Sequence, residues 1–193
     1  MIERFELIPT TETSYPYARA AQKCHFEDRE FVEEEYFIYG TANVYATEKG
    51  KPVIVCADAP YVNRMLVRRP AKTEKFSGNV VVEILNATNY MDIDRVWCLT
   101  REKIMRDGDV YIGITSKPVT IPVMLKLNAE RYAPLSWKNP RTAQKHDSLL
   151  GNMEGASCGS TEDGLFWDML RELPAALKER SDSPLRDYGK MYI

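Results

Sequence analysis

Val80-Val81-Val82-Glu83-Ile84-Leu85 and Val110-Tyr111-Ile112-Gly113-Ile114 are two short, nearly continuous apolar runs, and the residues between them decide the fold. Such runs suit strands buried on both faces, as in parallel sheets. Asp92 is a candidate N-cap for a helix that carries Ile93, Val96, Trp97, Thr100, Ile104 and Met105 on one side. Asp107-Gly108 stops that helix, because glycine adopts the left-handed C-terminal conformation without a Cβ clash. From Val80 onward the rhythm is therefore strand, helix, strand. It predicts an α/β fold with a mostly parallel sheet.

Upstream the pattern is strand-rich. Tyr61 to Arg69 alternates, with Val62, Arg64, Leu66 and Arg68 on one face and Asn63, Met65 and Val67 on the other, and Pro70 closes it. Phe31 to Tyr39 is a β-rich run ending at Gly40. Val44 to Ala46 and Val53 to Ala57 are short strand candidates flanking the turn signal Lys49-Gly50-Lys51-Pro52. The triplet Glu33-Glu34-Glu35 reads either as a metal-binding cluster or as an exposed strand edge, and the edge is preferred. The first 30 or so residues, with Pro9, Thr10, Thr11, Thr13, Ser14 and Pro16, read as an irregular lead-in.

Downstream, Thr115 to about Ser160 is polar and holds Pro118, Pro122, Pro134 and Pro140. It predicts mostly loop, with one short helix near Val123 to Leu127. A loop of that length inside a compact domain is usually functional or a lid. Its aromatics Tyr132 and Trp137 either line a substrate pocket or anchor the loop to the core. Thr161-Glu162-Asp163 opens a second helix with Phe166, Met169, Leu170, Leu173 and Leu177 on its apolar face, and Pro174 kinks it or starts a separate short helix. Tyr188 to Ile193 has the look of another strand beginning.

Composition bounds the function. The 193 residues fit one domain, and 44% are hydrophobic, enough for a core. With 26 basic and 28 acidic residues well mixed, the formal charge of −2 argues against a nucleic-acid partner and against electrostatic membrane attachment. No apolar run is long enough to span a bilayer, and Met1-Ile2-Glu3-Arg4-Phe5-Glu6 has neither a basic nor an apolar export region. A cytoplasmic, soluble chain is expected. Cys24, Cys56, Cys98 and Cys158 are widely spaced with two histidines in all, so reduced, buried thiols are expected, with no metal and no cofactor.

Several phrases sharpen this reading. Phe31-Val32-Glu33-Glu34-Glu35-Tyr36-Phe37, Gly40-Thr41-Ala42-Asn43-Val44-Tyr45, Leu66-Val67-Arg68-Arg69-Pro70, Phe76-Ser77-Gly78, Arg131-Tyr132-Ala133-Pro134-Leu135 and Glu162-Asp163-Gly164-Leu165-Phe166-Trp167-Asp168 resemble segments of the "alpha/beta hydrolase domain-containing" family. The resemblance covers roughly residues 30 to 193, in order. It implies residues 1–193 as a single partial α/β-hydrolase-like domain, the N-terminal half of that fold in the order β-β-β-α-β-α-β, with a lid-like insertion at about 115–160. In such a fold the strand beginning near Met191 leads into a G-x-S-x-G nucleophile elbow, with the acid and then the histidine further on. The resemblance implies that Asn86-Ala87-Thr88, after the Val80–Leu85 strand, occupies the loop that lends a backbone N–H to the oxyanion hole. The alternative is a plain strand-to-helix connection with Asn86 in a turn.

One literal G-x-S-x-G is present, Gly155-Ala156-Ser157-Cys158-Gly159. A nucleophile elbow needs a strand to deliver the serine, and the preceding Asp147 to Glu154 has too few β-formers. His25 and His146 both precede Ser157, against the order Ser, acid, His. Ser157 is therefore a weak nucleophile candidate, and a small-residue loop is the better account. The two histidines read as surface residues, and Cys98, inside an amphipathic helix, reads as an inert thiol.

Two function classes remain. In the first, the chain is the N-terminal part of a serine hydrolase for esters or amides, supplying sheet, oxyanion loop and lid. Its partner is then a C-terminal half carrying the nucleophile, acid and histidine. In the second it is a non-catalytic homo-oligomeric binding or assembly module, self-associating through its terminal strand.

Overall fold

The computed structural model describes residues 1–17, 26–141 and 160–193. Its frame is one five-stranded sheet: β1 (Ile2–Leu7), β2 (Phe31–Glu48), β3 (Lys51–Pro70), β4 (Val80–Ile84) and β5 (Val110–Ile114), in the spatial order β1-β2-β3-β5-β4. Four α-helices are described: α1 (Arg95–Asp107), α2 (Ile121–Leu127), α3 (Ala129–Tyr132) and α4 (Phe166–Glu179).

The α/β class stands, but the sheet is mixed rather than mostly parallel. β1, β2, β3 and β5 pair antiparallel in turn, and only β4 with β5 is a parallel pair of named strands. That parallel pair is the one joined by α1, since a parallel connection needs a crossover and a hairpin does not. β4 lies at the end of the sheet order and is only partly buried: Val80 and Glu83 are buried, Val81 and Val82 half-buried and Ile84 exposed.

The separate strand candidates upstream merge. Phe31 to Tyr39 and Val44 to Ala46 are one 18-residue strand, and Val53 to Ala57 with Tyr61 to Arg69 another of 20. Lys49 and Gly50, both at positive φ (49° and 76°), make the two-residue turn between Glu48 and Lys51. Such turns match the right-handed twist of the strands they join. Register slips near Asn43 mark where the body of the hairpin gives way to its exposed outer part.

The irregular lead-in holds a strand that sequence reading missed. β1 alternates only weakly, with Ile2 and Phe5 buried, and Ile2 to Leu7 pair with Tyr36 to Gly40. That pairing stops at Tyr36, with the Ile8 N–H reaching the Glu35 carbonyl, yet Glu33 to Glu35 do not form an exposed edge: Glu35 is buried and Glu33 and Glu34 are half-buried. Each faces an arginine of β3: Glu33 with Arg68, Glu34 with Arg69 and Glu35 with Arg64.

The long stretch after β5 contains α2, as expected, and also α3. α4 runs through Pro174 as one 14-residue helix. Its buried Phe166, Met169, Leu173 and Leu177 pack into the main core with Met65, Val67, Ile112 and Ile114. The C-terminal strand reduces to a parallel bridge of Tyr192 with Asn79, on the outer edge of β4. Cys56 and Cys98 are free and half-buried rather than buried, and Cys24 and Cys158 lie outside the described residues. No described helix is long and apolar enough to cross a membrane.

Candidate functional site at the carboxyl ends of the parallel strands

β4 delivers the chain into the segment Leu85–Asp94, and a single carboxylate fixes where α1 takes over. Glu83, buried on β4, accepts from the N–H groups of Val96 (2.9 Å) and Trp97 (3.1 Å) and from the Tyr111 hydroxyl (2.6 Å). The first helical N–H groups have no partner in their own helix, and negative charge is favoured there. Asp94 occupies the N-cap but makes no capping bond, because its carboxylate is engaged by Arg68. Asp92, the expected cap, is not one either: it is buried and bonded to Arg64 and Thr115. The C-terminus is as expected, with Gly108 at φ 77° donating its N–H to Ile104.

Between β4 and α1 the loop closes on itself. Asn86 and Ile93 exchange backbone hydrogen bonds (3.1 and 3.0 Å), and the Asn86 side chain accepts from the Thr88 N–H at 2.8 Å. Tyr90 donates its N–H to Ala87. Asn89 and Tyr90 both sit at positive φ (61° and 60°), a conformation that disfavours side chains with a Cβ. The Ala87 N–H donates to no acceptor among the described residues. Asn86 and Thr88 are exposed and Ala87 half-buried, so the three expected loop residues come together at the carboxyl ends of the parallel pair.

Behind the loop lies a buried ionic layer. Arg64, fully buried, donates to Glu35, to Asp92 (3.1 Å) and to the Tyr17 carbonyl. Glu35 also receives Arg131 (2.7 Å) and the Tyr132 hydroxyl (3.1 Å). Two cations thus balance two anions in one buried cluster, the condition under which buried charge is tolerated. Burial pushes the Asp92 carboxyl up from its ordinary range, against the opposing pull of Arg64 and the nearby Thr115 and Thr120 hydroxyls. Burial likewise pushes the Tyr132 hydroxyl up to about 12, so it remains a donor. A second cluster adjoins it, where Arg68 spans Glu33 and Asp94 and lies 4.5 Å from the Trp97 ring centre and 5.3 Å from that of Tyr111.

A family model described as an alpha/beta hydrolase domain matches residues 4–192 of this sequence. The chain belongs to that family. No curated protein and no solved structure gives a match.

Within this alpha/beta hydrolase domain the expected site residues fall into three groups. Asn86, Ala87 and Thr88 form the loop just described. Tyr132 and Trp137 are each 1% exposed. Tyr132 is bonded to Glu35, and Trp137 stacks on Phe166 at 6.2 Å between ring centres, so both anchor their segment to the core. Ser157, with Cys158, His25 and His146, lies outside the described residues. No three His, Cys, Asp or Glu side chains converge as metal ligands among the described residues.

Sequence reading missed Glu35, Arg64, Arg131 and Asp92 as a connected set, and Glu83 as the acceptor for the start of α1. One signal was available: Glu83 interrupts an otherwise apolar strand, and Arg64 and Arg68 alternate with Val62 and Leu66 along one face of a strand. Charges at such positions are retained only where partners meet them.

Proposed function

We propose that this chain forms the N-terminal part of a serine hydrolase acting on an ester or amide. It supplies half of a sheet, the lid-side segment after β5, and one oxyanion donor, the Ala87 N–H. The nucleophile, acid and histidine come from a C-terminal half. The observation that carries this reading is the Ala87 N–H, which lacks a described acceptor on a loop closed by the Asn86–Ile93 pair beside the parallel strands. A fixed N–H aimed at developing negative charge stabilises a tetrahedral intermediate without reorganising as the reaction proceeds.

Tyr192 supports the placement of the other half. It sits in parallel register against Asn79 on the outer edge of β4, the side on which a further parallel strand would extend the sheet. The test replaces Ala87 by proline in the enzyme completed by its C-terminal half. Ala87 has φ −88°, near the range proline requires, so the change deletes the N–H with little strain. The expected result is a loss of roughly 10²–10³ in kcat for an activated ester, as for loss of one oxyanion donor elsewhere, with KM little changed. An unaltered kcat would refute the assignment.

The position of β4 at the end of the sheet order, met on its outer edge by the short Tyr192 bridge to Asn79, favours a second reading, a homo-oligomer that pairs through this edge. Light scattering on the purified chain separates the two. A defined dimer supports the assembly module, and a monomer excludes it.

A further inference from the structure

We propose that Asp92 is a positioning residue for the Asn86–Tyr90 loop, holding it in register with the end of β5 through Thr115 and Arg64. The inference rests on the reading of this loop as the oxyanion element and adds the residue that keeps it in place. Asp92 immediately precedes Ile93, the residue whose backbone closes the loop on Asn86. Its side chain is 1% exposed, and its Oδ2 accepts from both the Thr115 hydroxyl and Arg64.

Thr115 follows β5 directly and is itself tied to β3. Its N–H donates to the Arg64 carbonyl, and its carbonyl accepts from the Asn63 side chain. Asp92 is therefore the link by which the loop after β4 is referred to two interior strands. Ser116 adds a second tie from the same segment, donating its hydroxyl to the Leu85 carbonyl at 2.6 Å. The exposed part of the loop, Thr88 to Tyr90, has two successive left-handed residues and no buried side chain to fix it. A strained segment keeps its shape only where the surroundings determine it.

The other Asp92 oxygen, Oδ1, is buried without a hydrogen-bond partner among the described residues, and the nearby Thr120 hydroxyl is committed to the Lys117 carbonyl. An asparagine keeps its carbonyl on Thr115 and can turn its amide nitrogen toward the neighbouring Thr120 hydroxyl, whose oxygen accepts while its proton stays on the Lys117 carbonyl. Asp92→Ala loses both bonds. Thr115→Val removes one of them in a side chain of nearly the same shape and leaves the Asp92–Arg64 pair intact, so it remains informative if Asp92→Ala folds poorly.

The first readout is hydrogen exchange on the chain itself. The Asn86, Thr88, Tyr90 and Ile93 amides should exchange at least about tenfold faster in Asp92→Ala and Thr115→Val, and within about threefold of wild type in Asp92→Asn. The Val96 and Trp97 amides, held by Glu83, should be unchanged in Thr115→Val. Unchanged loop exchange, or equal acceleration throughout the chain, would overturn the proposal. The second readout is ester hydrolysis by the completed enzyme, where Thr115→Val should lower kcat about tenfold with KM within about twofold. An unaltered kcat would also overturn it. If the wild-type enzyme hydrolyses no ester, the hydrolase reading fails, while the exchange pattern still decides whether Asp92 positions this loop.

Discussion

Replacing Glu83 measures how far one strand carboxylate holds α1 on the sheet. In Glu83→Ala three donors lose their acceptor: the Val96 and Trp97 N–H groups and the Tyr111 hydroxyl. Val96 is 40% exposed, so its N–H can turn to water, whereas Trp97 and Tyr111 are both fully buried. Two buried unsatisfied donors cost about 1–3 kcal/mol each, and loss of charge at the helix N-terminus adds about 0.3–1 kcal/mol. Relief from holding a desolvated carboxylate offsets part of this, leaving about 3 kcal/mol. Glu83→Gln keeps one acceptor oxygen but turns an NH₂ group toward a donor, so about 2 kcal/mol is expected. With a urea slope of about 2 kcal/mol per molar, the unfolding midpoint should fall by about 1.5 M in Glu83→Ala and about 1 M in Glu83→Gln. Tyr111→Phe alone should cost about 1 kcal/mol and be strongly non-additive with Glu83→Ala. A Glu83→Ala midpoint within 0.2 M of wild type, on the order of experimental noise, would refute the capping role.

Other outcomes follow from the same contacts. Glu35→Ala, which leaves the buried Arg64 and Arg131 with Asp92 as the one remaining carboxylate of their cluster, should cost about 3–5 kcal/mol by urea unfolding, whereas Glu34→Ala in the partly exposed pair with Arg69 should cost about 1 kcal/mol or less. Gly108→Ala should destabilise by at least about 2 kcal/mol, since a Cβ there would overlap the Lys75 carbonyl as well as strain a φ of 77°. Tyr90→Gly should raise thermal stability, because Tyr90 is 54% exposed at φ 60° and loses little packing. Burial pushes the Asp168 carboxyl up, but the Asn43 N–H, the Tyr45 hydroxyl, Arg171 and the N-terminal ammonium overcome this and hold it below its ordinary range. Its contribution is therefore complete above the unfolded carboxylate pKa of about 3.9 and disappears as pH falls through the lower folded value. Stability curves of wild type and Asp168→Asn should converge in that acid window, and parallel curves would contradict the assignment.

The parts of the fold legible in the sequence were those set by local pattern. The β4–α1–β5 unit, the glycine stop at Gly108, the hairpin turn at Lys49-Gly50 and the apolar face of α4 all rest on residues within a few positions of one another. What escaped depends on distant partners. β1 is too weakly patterned to stand out, and it forms because Ile2 and Phe5 find the main core. The Glu33-Glu34-Glu35 triplet gave no local hint that three arginines of β3 would face it, and a polar triplet on a strand more often marks an edge. Asp92 had the composition of a cap, yet Glu83, further back in the chain, took that role from across the fold. Of the candidate site, the connection holding Asn86–Thr88 was legible from the strand before it and the helix after it, while its reading as an oxyanion loop came from the family resemblance. Its closure by Ile93 and its support from Asp92 depend on tertiary contacts that spacing does not encode.

The central claim, that this chain carries an oxyanion loop but not its own nucleophile, is tested most directly with a fluorophosphonate probe and intact-mass measurement. The account predicts no adduct on the chain alone. A stoichiometric adduct that disappears in Ser157→Ala would contradict it and make the chain a serine enzyme with a nucleophile of its own.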